Sequence, residues 1–206
     1  LAISETVKLS DALLCVWHPG MRCGEAIVDT LLGRVNPSAK LVTTFPKTIG
    51  QIPLYYNHKN TGRPLMKKYN DMDDQPLFPF GFGLSYSTFT YSNLNLTNSS
   101  ITKEESLKFS VDIENPSDID GKEIVQVYYR DLVAQVTRPV KELCAFEKVL
   151  VKAKSTVTVE FEIPAKRFGY LDSKMNFNIE PGKFTLWVGP DSTQGIATEF
   201  SIHEKG

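Results

Sequence analysis

Pro76-Leu77-Phe78-Pro79-Phe80-Gly81-Phe82-Gly83-Leu84-Ser85-Tyr86-Ser87-Thr88-Phe89 divides the chain into two unlike halves. Two prolines and two glycines stand among five aromatic residues. That mixture predicts an extended, tightly packed connector, because prolines stiffen it, glycines permit close approach and rings pin it down. Phe78, Phe80, Phe82, Tyr86 and Phe89 are therefore expected to be mostly buried, and Gly81 or Gly83 to occupy a place that a side chain would not tolerate.

Towards the C-terminus the pattern is β. Short segments recur at Phe89–Leu96, Leu107–Glu114, Glu123–Arg130, Glu142–Val151, Thr156–Ile163, Asn176–Ile179, Phe184–Val188 and Ala197–Ile202. Strict alternation is clearest in Leu107–Ile113 and Val157–Ile163. Turn residues separate the segments, among them Asn115-Pro116-Ser117-Asp118, Asp120-Gly121, Pro181-Gly182 and Gly189-Pro190-Asp191. About seven short strands at regular spacing predict an all-β sandwich of immunoglobulin-like or fibronectin type III kind. No Cys…Trp…Cys pattern accompanies them, which disfavours an antibody-type domain.

Towards the N-terminus the pattern is α/β. Ala12–Trp17 is a continuous apolar run of the type a strand buried on both faces produces. His18-Pro19-Gly20 ends it, and Gly24–Gly33 carries apolar residues at 27, 28, 31 and 32, a helical spacing with Gly33 as its C-terminal stop. Lys40–Phe45 reads as a second short strand that Pro46 ends. One helix and two strands cannot close a doubly wound sheet, so this half is expected to be the tail of a larger sandwich domain. The predicted organisation is an α/β fragment over 1–86, with a long polar loop at 48–75, and a β-sandwich over 87–206.

Composition excludes several functions. Lys plus Arg number 23 against 24 Asp plus Glu, so no net field draws nucleic acid or an anionic membrane. No apolar run reaches the length of a bilayer span, and the first residues lack a basic, then apolar, leader pattern. Cys15, Cys23 and Cys144 lack metal spacing and are read as buried thiols, with a Cys15–Cys23 bridge as the alternative.

Chemistry is sparse. The loop residues Tyr55, Tyr56, His58, Asn60, Arg63, Tyr69, Asn70 and Asp71 are types that sugar recognition uses, with rings for sugar faces and polar groups for hydroxyls. The competing reading is a solvated loop whose tyrosines pack on the sheet edge. Gly83-Leu84-Ser85-Tyr86-Ser87 lacks the second glycine of a nucleophile elbow, which leaves Ser85 a turn residue. Gly81-Phe82-Gly83 lacks the third glycine of a phosphate loop. Asp71, Asp73 and Asp74 lack calcium-loop spacing. His18 has no partner carboxylate at a telling spacing, and Glu25 suits a helix start for its charge alone. Asn95-Leu96-Thr97 and Asn98-Ser99-Ser100 are glycosylation sequons that matter only in a eukaryotic secretory pathway. No catalytic residue, metal ligand or cofactor-binding residue is assigned.

The motifs nevertheless resemble a family. Trp17-His18-Pro19-Gly20, Gly24, Ala26-Ile27, Asp29, Leu32-Gly33, Asn36-Pro37-Ser38, Lys40-Leu41 and Thr44-Phe45-Pro46 are similar to the end of the α/β-sandwich domain of glycoside hydrolase family 3. Gln51-Ile52-Pro53, Tyr55-Tyr56-Asn57, Thr61-Gly62-Arg63-Pro64 and the stretch from Pro76 to Phe89 resemble the segment that follows there. Gly121-Lys122-Glu123, Val125–Tyr128, Arg138–Leu143 and Phe146 resemble its fibronectin-like domain. Ala39, Val42 and Met21-Arg22-Cys23 depart from the usual glycine, proline and glutamine-glutamate-glycine.

The resemblance implies a β-glucosidase or β-xylosidase type of enzyme in which two carboxylates flank the glycosidic bond, one as nucleophile and one as acid/base. Both would lie in an N-terminal barrel and the early sandwich domain, so this chain would be inactive alone. It also implies an oligosaccharide or β-glycoside substrate for the intact enzyme, packing against the barrel, no cofactor, no nucleic-acid or membrane partner, and a periplasmic or secreted location. A non-catalytic carbohydrate-binding or structural module is the alternative.

Overall fold

The computed structural model describes residues 1–60 and 73–204. In chain order the elements are helices α1 (Ser4–Leu9) and α2 (Cys23–Leu31), then strands β1 (Thr90–Leu96), β2 (Ser100–Thr102), β3 (Ser106–Asn115), β4 (Gly121–Asp131), β5 (Glu142–Val151), β6 (Ser155–Pro164), β7 (Tyr170–Leu171), β8 (Phe177–Asn178), β9 (Gly182–Gly189) and β10 (Ile196–His203). Short 3-10 turns occupy Ile49–Gln51 and Ala165–Phe168.

The C-terminal half is a sandwich of two sheets. One has the order β1-β3-β6 and the other β2-β10-β9-β4-β5, while β7 and β8 form a separate ribbon. The alternation read in Leu107–Ile113 and Val157–Ile163 becomes a ten-pair antiparallel ladder from Ser106↔Pro164 to Asn115↔Ser155. Period-2 patterning sends Leu107, Phe109, Val111 and Ile113 inward, where they are buried against Val125, Val127, Leu186 and Val188 of the facing sheet. Phe109 stacks on Phe161 with centroids 5.1 Å apart. Phe168, brought in by the second 3-10 turn, packs against Tyr129, Phe184 and Phe200 at the end of the core.

Two strands lay outside the expected set. β2 has three residues and pairs parallel with β10 at Ile101↔Ile202, too short for alternation to register. β7 has two residues and pairs with the expected Asn176–Ile179 region, of which only Phe177–Asn178 is strand.

The N-terminal half departs further from expectation. α2 forms where the spacing put a helix and ends as predicted. Gly33 follows its C-terminus at φ 70°, its N–H donating to the Thr30 carbonyl, while Arg34 N–H reaches Asp29. No residue of α2 is fully buried. Ala12–Trp17 is not a strand, and Leu13, Leu14, Val16 and Trp17 are exposed. A strand exists only when a neighbour takes its N–H and C=O groups, and no described segment lies alongside to do so.

Lys40–Phe45 pairs with the connector instead of a sheet. Leu41 N–H donates to Phe82 O (2.7 Å), Gly81 N–H to Leu41 O (2.8 Å), Phe45 N–H to Phe78 O (2.9 Å) and Leu77 N–H to Phe45 O (2.8 Å). Pro76 and Pro79 have no N–H to give, so only the single bridge Phe45↔Phe78 is regular.

The connector is packed, with one exception. Phe78, Phe80, Phe82 and Phe89 are partly buried, but Tyr86 is 49 % exposed. Its ring lies on the surface because its hydroxyl donates to the Thr30 carbonyl beside the end of α2 (2.8 Å). Phe78 stacks on Phe82 (4.8 Å) and leans against Phe45, which also meets Trp17 edge-on.

Candidate functional site

Two features concentrate polar groups: a seam between the halves and a cleft beside it. The seam begins at the turn Pro79–Phe82, closed by Phe82 N–H donating to Pro79 O (3.2 Å) with Gly81 at φ 82°. Glycine is the residue that adopts this backbone at the third position of such a turn without strain.

Gln126 lies beneath the turn, 3 % exposed, on the outward face of the five-stranded sheet. Its Nε2 donates to Gly81 O at 3.1 Å and also to Pro190 O, while its Oε1 accepts the Tyr128 hydroxyl at 2.6 Å. A side chain at Gly81 would collide with Gln126, its Cβ lying 2.1 Å from Oε1. Phe80 O accepts from Ser192 N–H (3.0 Å), and the Phe80 ring stacks on Tyr56 at 4.3 Å. Tyr56 meets the ring of Tyr128 edge-on and accepts the Leu143 N–H (3.3 Å). Burial raises the pKa of Tyr56, of Tyr128 and of Tyr91, so all three remain neutral phenols in ordinary buffers.

A second cluster lies at Asn36. Its Oδ1 accepts from Ser85 Oγ and Tyr86 N–H, both 2.8 Å, and its Nδ2 donates to Ser87 Oγ (2.9 Å) and Asp120 O (3.0 Å). Ser87 Oγ donates onward to Ile119 O (2.9 Å). Nearby, Lys40 pairs with Glu123 at 3.0 Å where both are almost fully buried, and Tyr91 donates to the same carboxylate oxygen at 2.8 Å. Lys141, whose ammonium is disfavoured by burial, donates to Ser192 O (2.8 Å) over the ring of Trp187.

The cleft has a volume of about 430 Å³ and lies between the loop after Phe45, the connector and the Ser192–Thr193 turn. Tyr55 stands on its rim, 62 % exposed, with His58, Lys59 and Asp74 also lining it. His58 O accepts from Val140 N–H (2.9 Å), which ties the loop to the sandwich. Of the residues with sugar-recognising chemistry, Tyr55, Tyr56 and His58 thus line the cleft, Tyr56 being also held in the seam, and Asn60 is exposed. Arg63, Tyr69, Asn70 and Asp71 fall outside the described residues, as does Thr61-Gly62-Arg63-Pro64.

The remaining candidates separate. Ser85 is a turn residue bonded to Asn36. Asp73 accepts from Lys47 (2.5 Å) and Gln75 N–H, and Asp74 from Gln75 Nε2. His18 is exposed, and Glu25 pairs with Arg22 at 2.7 Å on the surface. Asn95 and Asn98 are exposed on and just after β1. The cysteines are free and no bridge joins Cys15 to Cys23; Cys144 is buried as expected, whereas Cys23 is half-buried and Cys15 is exposed because no described strand pairs with the run containing it. Burial pushes the Cys144 thiol up to about 12. Sequence reasoning missed Asn36, Gln126 and Glu123 as seam residues. A Gln between apolar neighbours in a strand, and a Glu at an inward position, were the available signals.

Residues 1–86 match the glycosyl hydrolase family 3 C-terminal domain, and residues 123–192 match a fibronectin type III-like domain. The chain belongs to glycosyl hydrolase family 3, of which it carries this C-terminal domain and the β-sandwich that follows it. It is 39% identical to a periplasmic beta-glucosidase of Salmonella typhimurium over 98% of this chain and 28% of that one. With a beta-xylosidase of Formosa agariphila the identity is 37%, over 93% of this chain and 27% of the relative. The crystal structure of a beta-glucosidase from Listeria innocua in complex with glucose superimposes with a TM-score of 0.92 at 42% identity, covering 98% of this chain and 29% of that one. The chain therefore spans under a third of the length of these relatives.

Proposed function

We propose that the chain is the C-terminal portion of a retaining β-glycosidase of β-glucosidase type, which hydrolyses terminal β-linked sugars, and that it has no turnover by itself. The observation that carries this reading is the collinear match of both halves, at 39% identity to a periplasmic beta-glucosidase across nearly the whole chain. Retaining hydrolysis needs two carboxylates about 5 Å apart across the sugar. Among the described residues lining the cleft, Asp74 is the one carboxylate, and its Oδ1 accepts from Gln75. In this reading the nucleophile and the acid/base belong to segments of the relatives that this chain does not span.

In this reading the α/β piece occupies 1–86 and the sandwich 87–206. The exposed apolar side chains of the first half pack against the rest of its α/β-sandwich domain, the chain as a whole packs against the barrel of the intact enzyme, and the reaction needs no cofactor. A periplasmic or secreted site of action accords with the name of the Salmonella relative, and no helix among the described residues is long and apolar enough to cross a membrane. The test is an assay of the chain on aryl β-glucoside and β-xyloside, alone and within the longer protein that carries it. The expected result is hydrolysis only in the longer protein. Robust turnover by the chain alone would overturn the inactivity, and an inert longer protein would overturn the activity.

A second reading, a carbohydrate-binding module, rests on the exposed ring of Tyr55 beside His58 and Asp74 at the cleft. Calorimetry of the chain with gluco- and xylo-oligosaccharides separates the two: saturable heat lost in Tyr55→Ala supports the module.

A further inference from the structure

We propose that the outward face of the five-stranded sheet is a docking platform for the Pro79–Phe82 turn, so that the sandwich acts as an intramolecular clamp holding the 41–45 and 77–82 ribbon in shape. The inference rests on contacts within this chain and stands independently of the glycosidase reading.

Apart from the ring contacts of Phe45, Phe78, Phe82 and Trp17, the ribbon has little to hold it otherwise among the described residues. Its own main-chain bonds are the few between 41–45 and 77–82, interrupted by Pro76 and Pro79, and α2 supplies no fully buried residue. A two-stranded ribbon of this kind is marginal in water.

The sandwich supplies what is missing, and does so specifically. The two carbonyls at the tip of the turn are both taken, Phe80 O by Ser192 N–H and Gly81 O by Gln126 Nε2. Gln126 also donates to Pro190 O and accepts the Tyr128 hydroxyl, so its amide is fixed in orientation and both of its N–H groups are used. Gly81 presents no Cβ at the point where Gln126 approaches. The ring of Phe80 lies on Tyr56, which rests edge-on against Tyr128. Gln126 and Tyr128 are two residues apart on one strand and share its outward face, which in a free-standing sandwich would be wet; here they are 3 % and 0 % exposed. The buried Lys40–Glu123 pair and the Asn36 cluster join the same two bodies further along. A surface whose polar atoms are arranged for one turn, and whose apolar atoms are covered by it, is a binding site with its ligand in place.

Hydrogen exchange of the full chain, read by NMR at Leu41, Phe45, Leu77 and Gly81, tests this. These amides are expected to exchange within about tenfold of those in β4, because opening the ribbon requires opening the seam. In Gln126→Ala they are expected to lose about tenfold or more in protection while β3 and β6 change by less than about twofold. Should Gln126→Ala fail to fold, Tyr128→Phe, which only frees the Gln126 amide to rotate, is expected to speed exchange at Gly81 several-fold. Exchange of the four amides about a thousandfold faster than β4 in the unaltered chain would overturn the clamp. So would a uniform loss across the whole sandwich in the variants, which would make Gln126 a general stabiliser of the core.

Discussion

Gly81 and Gly33 both have positive φ, 82° and 70°, yet their surroundings differ. A Cβ at Gly33 would meet nothing within 4 Å, whereas one at Gly81 would fall on the buried Gln126 amide. Gly33→Ala is expected to cost about 1 kcal/mol from backbone strain alone. Gly81→Ala should cost about 1–3 kcal/mol more, from overpacking and loss of the Gln126 bonds. Urea unfolding of the two variants compares them, and equal costs would contradict the close approach. Asp131 offers a test of charge. Burial raises its carboxyl pKa, helped by Glu180 and Glu142 and opposed by the Val133 N–H and Arg138. The folded state therefore holds the proton more tightly than the unfolded chain. This group's contribution is fully present below the unfolded carboxylate pKa and falls as pH rises through the folded value. Asp131→Asn keeps the acceptor for Val133 and removes the charge. It should gain stability relative to the parent chain at pH 7 and lose that advantage near pH 4, as read by denaturant midpoints at both values.

At the scale of elements, one edge strand is β5. It ends the five-stranded sheet, and its middle is charged where it faces solvent, with Glu147 and Lys148 flanked by exposed Phe146 and Leu150. Outward N–H and C=O groups recur at alternate residues of an edge strand, so two copies pairing antiparallel place their symmetry axis on a residue facing itself. Centred on or just beyond the strand's middle, that residue is Phe146, Glu147 or Lys148, and the last two registers put like charges in contact. The double substitution Glu147→Thr with Lys148→Thr is expected to promote concentration-dependent association in sedimentation velocity, and an unchanged monomer would show that the charges guard nothing. The elements also show where sequence patterns were sufficient. β3 and β6 were legible because each buries one face only, so alternation survives. β4 carries burial on both faces over Val125–Tyr129, since the connector covers its outward side, and its pattern there is nearly continuous. Ala12–Trp17 has the composition of a buried strand without the neighbour that would make it one.

Across the whole molecule, apolar exposure is uneven. The sandwich hides a closed core, while Leu13, Leu14, Trp17, Val28, Leu31 and Leu32 of the first half stand between 43 % and 66 % exposed. Apolar surface of that kind is what an unmatched packing face presents. The chain is expected to enhance fluorescence of a hydrophobic dye such as ANS, and the paired substitution Leu14→Ser with Leu31→Ser to reduce that enhancement at least twofold. A chain that binds no dye would show the first half to be covered in solution. Local sequence determined the strands of the sandwich other than β2 and β7, the helix at 23–31 with its glycine stop, the connector and the family, because each depends on residue spacing or on motif order along the chain. Tertiary structure alone decided that Lys40–Phe45 would pair with the connector, that Tyr86 would lie outward, and that Asn36, Gln126 and Glu123 would join the halves. Those outcomes depend on which polar groups meet across 32 to 84 residues of chain, and a hydrogen bond or ion pair between distant residues leaves no periodicity in either.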